Sequence, residues 1–284
     1  MRDSSNPVMR GVVRDNQNPG GYAGFGSNAA GAGQAAMYNQ YGQQVPPQYA
    51  PPQAVGRQLT IDDVVTKTAI TLGVLTVTAI LSYVISSYNN ALAGPLMGIG
   101  AIVGLVLVLV ASFGRKQDNP AIVLAYAAFE GLLLGGFSGV MEARYEGIVV
   151  QAVLATLATF GAMLAAYSFG GFRVQGRFRR VVVVATFGYM IFSLINFFLM
   201  VTGLTTGAWG LRSLTIMGIP LGVPLGILAV ILASFFLAID FESIGNGVRN
   251  GLPQRYAWAG AFGLVVTLVW LYVEFLRLLS YFRD

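Results

Sequence analysis

Seven apolar runs dominate the chain, at approximately 62–85, 91–113, 119–141, 147–170, 179–202, 219–241 and 255–280. Each holds about 20 residues or more, enough to cross roughly 30 Å of hydrocarbon as an α-helix. Lipid offers no partner to unpaired backbone groups, so such runs span as helices rather than open strands. The gaps between them are short, which predicts antiparallel neighbours, and no repeat of fixed period appears. In "LTIDDVVTKTAITLG", Thr60 followed by Asp63 has the form of a capping box and marks the start of the first helix. The pattern predicts an all-α integral membrane protein with seven transmembrane helices.

Residues 1–58 lack this pattern. "GGYAGFGSNAAGAGQAAMYNQYGQQVPPQYAPPQ" is rich in Gly, Ala, Gln, Pro and Tyr and has no apolar periodicity. It cannot bury enough surface to offset its ordering entropy, and it has no continuous apolar core of a signal peptide. A disordered cytoplasmic tail over 1–58 is expected, or a Tyr/Gln-rich segment that self-associates or recruits a partner. The membrane domain is expected over 59–284.

Composition agrees: 55% of the 284 residues are hydrophobic and 10% charged, against roughly 25% charged in soluble domains. There is no cysteine and no histidine. Disulfides, thiolate or histidine metal sites and Ser-His-Asp triads therefore fall together. The only lysines are Lys67 and Lys116, so the last span cannot carry a retinal Schiff base. No cofactor, metal or nucleic-acid partner is expected.

The net charge of +5 follows the topology. With the N-terminus inside, the inner segments hold twelve basic residues: Arg2, Arg10, Arg14, Arg57, Arg115, Lys116, Arg173, Arg177, Arg179, Arg180, Arg249 and Arg255. The outer side holds four, Arg144, Arg212, Arg277 and Arg283. Positive charge marks the inner face, so a multi-pass plasma-membrane protein is expected, N-terminus cytoplasmic and C-terminus outside.

Few ionisable groups fall within the spans. A charge at the bilayer centre costs at least ~2.5–3.5 kcal/mol on insertion scales and is by default a functional candidate. Glu130, in "AYAAFEGLLLGGFSG", lies near mid-depth of the third span. It is either protonated or faces a polar cavity with Tyr126, or with Tyr189 and Ser193 of the fifth span. Gly131, Gly135, Gly136 and Gly139 follow it and make a small-residue face for close helix packing. Lys67 lies four residues after Asp63, so a local ion pair accounts for both. Glu274 stands in the same relation to Arg277, three residues on. Asp240, in "LAIDFESIGNG", ends the sixth apolar run, and either reaches water or points inward. Glu242 is turned about 160–200° from it and is expected to face the loop and water.

The ordered set of motifs is similar to the Bax inhibitor (YccA-like) family. It rests on "AIDFESIGNGVRNG" closing the sixth span and "AFGLVVTLVWLYVEFLRLLSYF" as a long seventh. "SNPVM", "TIDDVVTKTAITLG" and "AYAAFEGLLLGGFSG" resemble one bacterial branch. The resemblance implies six helices around a central seventh, and a passive, pH-sensitive cation flux, notably a calcium leak. It implies a pair of aspartates, one ending the sixth helix and one on the seventh, that cannot both ionise cheaply. An arginine on the second helix would latch them. Asp240 matches the first aspartate. The second falls at Thr267, which cannot ionise, and the second span holds no arginine. Lys67, at about the depth of Asp240, is the possible latch; Glu274 lies two turns further out.

Two functions follow. One is a cation leak with Asp240 as titrating gate and Glu242 or Glu130 acting on it, Ca²⁺ or H⁺ being permeant or sensed. The other is a non-conducting membrane protein that binds other membrane proteins or a membrane protease. An enzyme is not expected, since no catalytic constellation is present. The lipid bilayer is the one partner common to both.

Overall fold

The computed structural model describes residues 57–205, 207 and 209–283. Seven long helices carry the apolar runs: α1 (Ile61–Tyr88), α2 (Ala93–Phe113), α3 (Pro120–Arg144), α4 (Ile148–Ser168), α5 (Gly176–Val201), α6 (Gly222–Arg249) and α7 (Ala257–Tyr281). All seven are long and apolar enough to cross a membrane. The fold is an all-helical, polytopic membrane bundle. One boundary differs materially from the sequence pattern. The sixth run was expected to end at 241, but α6 continues to Arg249 through polar turns. Asp240 therefore lies about 13 Å before the helix end rather than at its foot.

Local chemistry sets the starts. Thr60 Oγ1 accepts from Asp63 N at 3.2 Å while Thr60 N donates to Asp63 Oδ2 at 3.1 Å, the expected capping box. Asn119 caps α3, accepting from Ala121 N at 2.9 Å, with Pro120 in the first turn. α4 takes its cap from a distance: Glu142 accepts from Gly147 N at 2.6 Å and Val149 N at 3.1 Å, placing negative charge at the helix N-terminus. Gly147 turns the chain there with φ +77°.

The glycines of α3 work as expected, on two sides. A Cβ at Gly135 would lie 2.1 Å from the Ala79 carbonyl oxygen, and at Gly131 2.5 Å from that of Leu75, so α1 packs directly on the α3 backbone. Ser82 Oγ donates across this contact to Leu132 O at 2.7 Å. On the opposite side Gly100 of α2 approaches Leu133 N equally closely. α7 is the most buried helix and packs chiefly on α1, α3, α4 and α6. α2 is carried by α3 and α5 by α6.

Contacts sort the loops onto two ends. At one, which we call the N-proximal end, Arg255 pairs with Asp118 (3.4 Å) and Gln254 Nε2 donates to Asp63 Oδ1 (2.9 Å). At the far end Arg283 Nη1 donates to Glu146 O at 2.6 Å, and a short antiparallel hairpin, Thr215–Ile216 with Ile219–Pro220, leads into α6. Of the expected tail over 1–58, residues 1–56 lie outside the described residues. Arg57 and Gln58 are placed. Gln58 bridges Pro253, Gln254 N donates to Arg57 O at 2.9 Å, and Leu59 N donates to Leu252 O at 2.8 Å. This strap ties the start of α1 to the α6–α7 turn.

Candidate functional site

Asp240 and Thr267 meet across the α6–α7 contact. The Thr267 hydroxyl donates to Asp240 Oδ2 at 2.7 Å, with the Gly263 carbonyl a more distant acceptor at 3.1 Å. Gly263 lies one turn before Thr267, and a Cβ there would come within 3.3 Å of the other carboxylate oxygen. The carboxylate opens on a cavity of about 440 Å³ at the N-proximal end. Ser112 of α2, Gln117, Ser243 and Tyr256 line it, Leu59 and Leu252 of the strapped turn close its rim, and Phe236 forms its roof. Among the described residues, Asp240 is the one charged residue in that lining.

The proposed latch does not reach it. Lys67 Nζ lies 4.9 Å over the Trp258 ring, and among the described residues it pairs with neither Asp240 nor Asp63. The capping box turns the Asp63 carboxylate back toward the helix start, where Thr60, Gln254 and Arg57 (3.4 Å) take it, out of reach of the residue one turn on. Glu242 was expected in water and is 7% exposed. Helix geometry does point it away from Asp240, but that side is covered by the segment before α5. Gln175 Nε2 donates to its Oε1 at 2.6 Å.

Glu130 does not share a cavity with Tyr189 and Ser193. It faces Gly104 of α2, where an added Cβ would lie 2.9 Å from its Oε2. The missing side chain makes the niche, between α2 and α3 and off the α7 axis. Tyr126 turns instead to Phe262, edge-on at 5.2 Å. Tyr189 and Ser193 belong to a different acid, Glu274.

Glu274 is 2% exposed and heavily partnered. Its Oε1 accepts from the Tyr189 hydroxyl, from Arg277 Nη2 at 2.6 Å and from Trp270 Nε1 at 3.3 Å. The expected Glu274–Arg277 pair is thus present, but it is only half of the site. Arg212, 1% exposed, brings Nη1 to 3.7 Å from Glu274 Oε2 and donates from Nη2 to Ser193 Oγ at 2.7 Å. Its guanidinium stacks on Tyr189 (5.1 Å) and Phe192 (5.6 Å). Asn196 holds the same loop independently, accepting from Leu211 N at 2.7 Å and donating to Trp209 O at 3.2 Å. Among the described residues, the cluster contains two cations and one anion. Arg212, an outer-loop charge by the sequence pattern, is buried here, and Asn196 of the fifth apolar run, which that pattern does not single out, docks its loop.

Thr267 and Glu274 lie seven residues apart on α7, about 20° around the helix and about 10 Å along it. Both polar sites therefore share one stripe of the most buried helix. Between them stand Leu237 and Leu271, both fully buried, with Trp270 against Phe236 (6.1 Å) and Tyr189 (5.9 Å). This apolar septum separates the cavity from the far-end cluster. Among the described residues, no three metal-ligating side chains gather.

Residues 6–284 match a protein-family model described as Bax inhibitor 1 like. The chain belongs to that family. No curated protein and no solved structure gives a match. Within this Bax inhibitor 1 like chain, the position where the resemblance calls for a second aspartate, Thr267, does touch Asp240. A hydroxyl stands where that pairing would place an acid. The match also takes in residues 6–56, which lie outside the described residues.

Proposed function

We propose that this Bax inhibitor 1 like protein leaks cations, calcium among them, across a membrane, and that protonation of Asp240 sets the rate. The observation that carries the reading is the uncompensated Asp240 carboxylate of α6 at the head of the N-proximal cavity, held by Thr267 on the same stripe of α7 as the far-end cluster. Ionised, Asp240 accepts from Thr267 and draws a cation to the cavity. Protonated, it loses that attraction. Among the described residues no other charged side chain lines the cavity, so one group titrates and the flux should change in a single step. A coupled pair of acids would give two. The basic residues of the N-proximal end, Arg57, Arg115, Lys116, Arg173 and Arg177, favour placing that end in the cytoplasm of a plasma-membrane protein.

Calcium flux from purified protein in liposomes, followed from about pH 5 to 8, tests this. Asp240→Asn, a mimic of the protonated acid, should hold flux at the acid-pH level throughout. A profile that overlays the wild type would remove Asp240 from the gate. The dry septum at Leu237 and Leu271 supports a second reading, a non-conducting protein that regulates membrane partners. Silence of the wild type at every pH would favour it.

A further inference from the structure

We infer that the one excess positive charge of the Arg212–Glu274–Arg277 cluster is what shuts the far end to cations, with Arg212 as the residue that determines ion specificity there. The inference rests on the conduction reading above. A cation leaving the cavity along α7 passes the septum and then meets this cluster, because Thr267, Leu271 and Glu274 follow one another on one face of the helix. The cluster cannot hold a neutral balance: Glu274 is already shared between Arg277 and Arg212. Arg212 also keeps donors to spare, its Nε and Nη1 finding no hydrogen-bond partner among the described residues. Buried at 1%, its charge is poorly screened by water or salt. The chain does not need Arg212 to dock its loop, since Asn196 bonds both Trp209 and Leu211. Charge is therefore the distinctive thing Arg212 contributes, and a barrier made of charge rises with the valence of the ion that meets it.

The test uses full-length protein in liposomes at the pH of greatest wild-type flux, with calcium, potassium and a small neutral solute measured side by side. Arg212→Gln should raise calcium flux by about tenfold or more, the low end of what a local field of one sign does to ion entry. Potassium flux should rise less, and the neutral solute not at all. Arg212→Lys, which keeps the charge and loses the Ser193 fork, should stay closed. Arg277→Gln removes the same excess charge from α7 and should reproduce the calcium selectivity, so the inference stays testable if Arg212→Gln fails to fold. A rise shared equally by all three solutes would show a loosened plug and overturn the charge barrier. So would unchanged flux in both glutamine variants beside a wild type that conducts and responds to Asp240→Asn. If neither the wild type nor any variant passes calcium at any pH, the conduction reading falls and this inference with it.

Discussion

Removing Glu274 should cost far more stability than removing either arginine it holds. Glu274→Gln leaves two guanidiniums, one buried and one partly buried, without an anion, whereas Arg212→Gln returns the cluster to neutrality. At an effective dielectric of about 20, the 2.6 Å pair with Arg277 is worth about 6 kcal/mol and the 3.7 Å pair with Arg212 about 4–5 kcal/mol before desolvation. Stranding one partner of such a pair costs about 3–5 kcal/mol net. Arg212→Gln forfeits only hydrogen bonds and stacking, about 1–2 kcal/mol. At about 2–4 °C per kcal/mol for a domain of this size, Glu274→Gln should melt roughly 10 °C below the wild type, and Arg212→Gln within about 5 °C. Thermal unfolding in one detergent and at one scan rate, read from Trp209 and Trp270 beside the cluster, measures the difference. The double variant Glu274→Gln with Arg212→Gln should recover part of the loss. If Glu274→Gln melts with the wild type, or if Arg212→Gln is the weaker of the two, the acid is not holding two charges.

Gly135→Ala should destabilise by about 1–3 kcal/mol, because its methyl would meet the Ala79 carbonyl at 2.1 Å and neither backbone can yield without parting α1 from α3. Gly73→Ala, on α1 with nothing within 4 Å, is the control and should be neutral or slightly stabilising in the same melt. The chain has no cysteine, so single-cysteine labelling starts from a clean background. Met217→Cys, at the exposed hairpin tip, should react with an impermeant reagent on intact cells, and Phe169→Cys only after permeabilisation. The opposite pattern would invert the proposed orientation.

The elements were legible because each depends on its own residues. Apolar length predicts the spans, Thr60 and Asp63 the first cap, and the glycines after Glu130 a close helix contact, and all three are present. Polar partnerships were legible only where they were local. Glu274 with Arg277 could be read from spacing; Arg212 could not, since its burial requires a loop some sixty residues earlier to fold onto α7. Glu242 shows the other limit. Its direction follows from helix geometry, but what fills that direction is Gln175, which no periodicity predicts. α6 was cut short for a third reason. Hydropathy falls at Asp240 while the helical backbone runs on, and a run of apolar residues reports solvent rather than backbone.

The strap at Arg57–Leu59 also sets a clock for biosynthesis. Its partners, Leu252 to Gln254, leave the ribosome long after it, and the Gln254–Asp63 bond joins residues 191 apart. At about 5–20 residues per second, the first helix waits roughly 10–40 s before its entrance can be fastened. During that interval α1 must rest in the bilayer chiefly on its α3 contacts, with the cavity beside Asp240 lacking its rim. A nascent chain stalled before residue 250 should therefore hold α1, α2 and α3 together while leaving Leu59 accessible to protease or label.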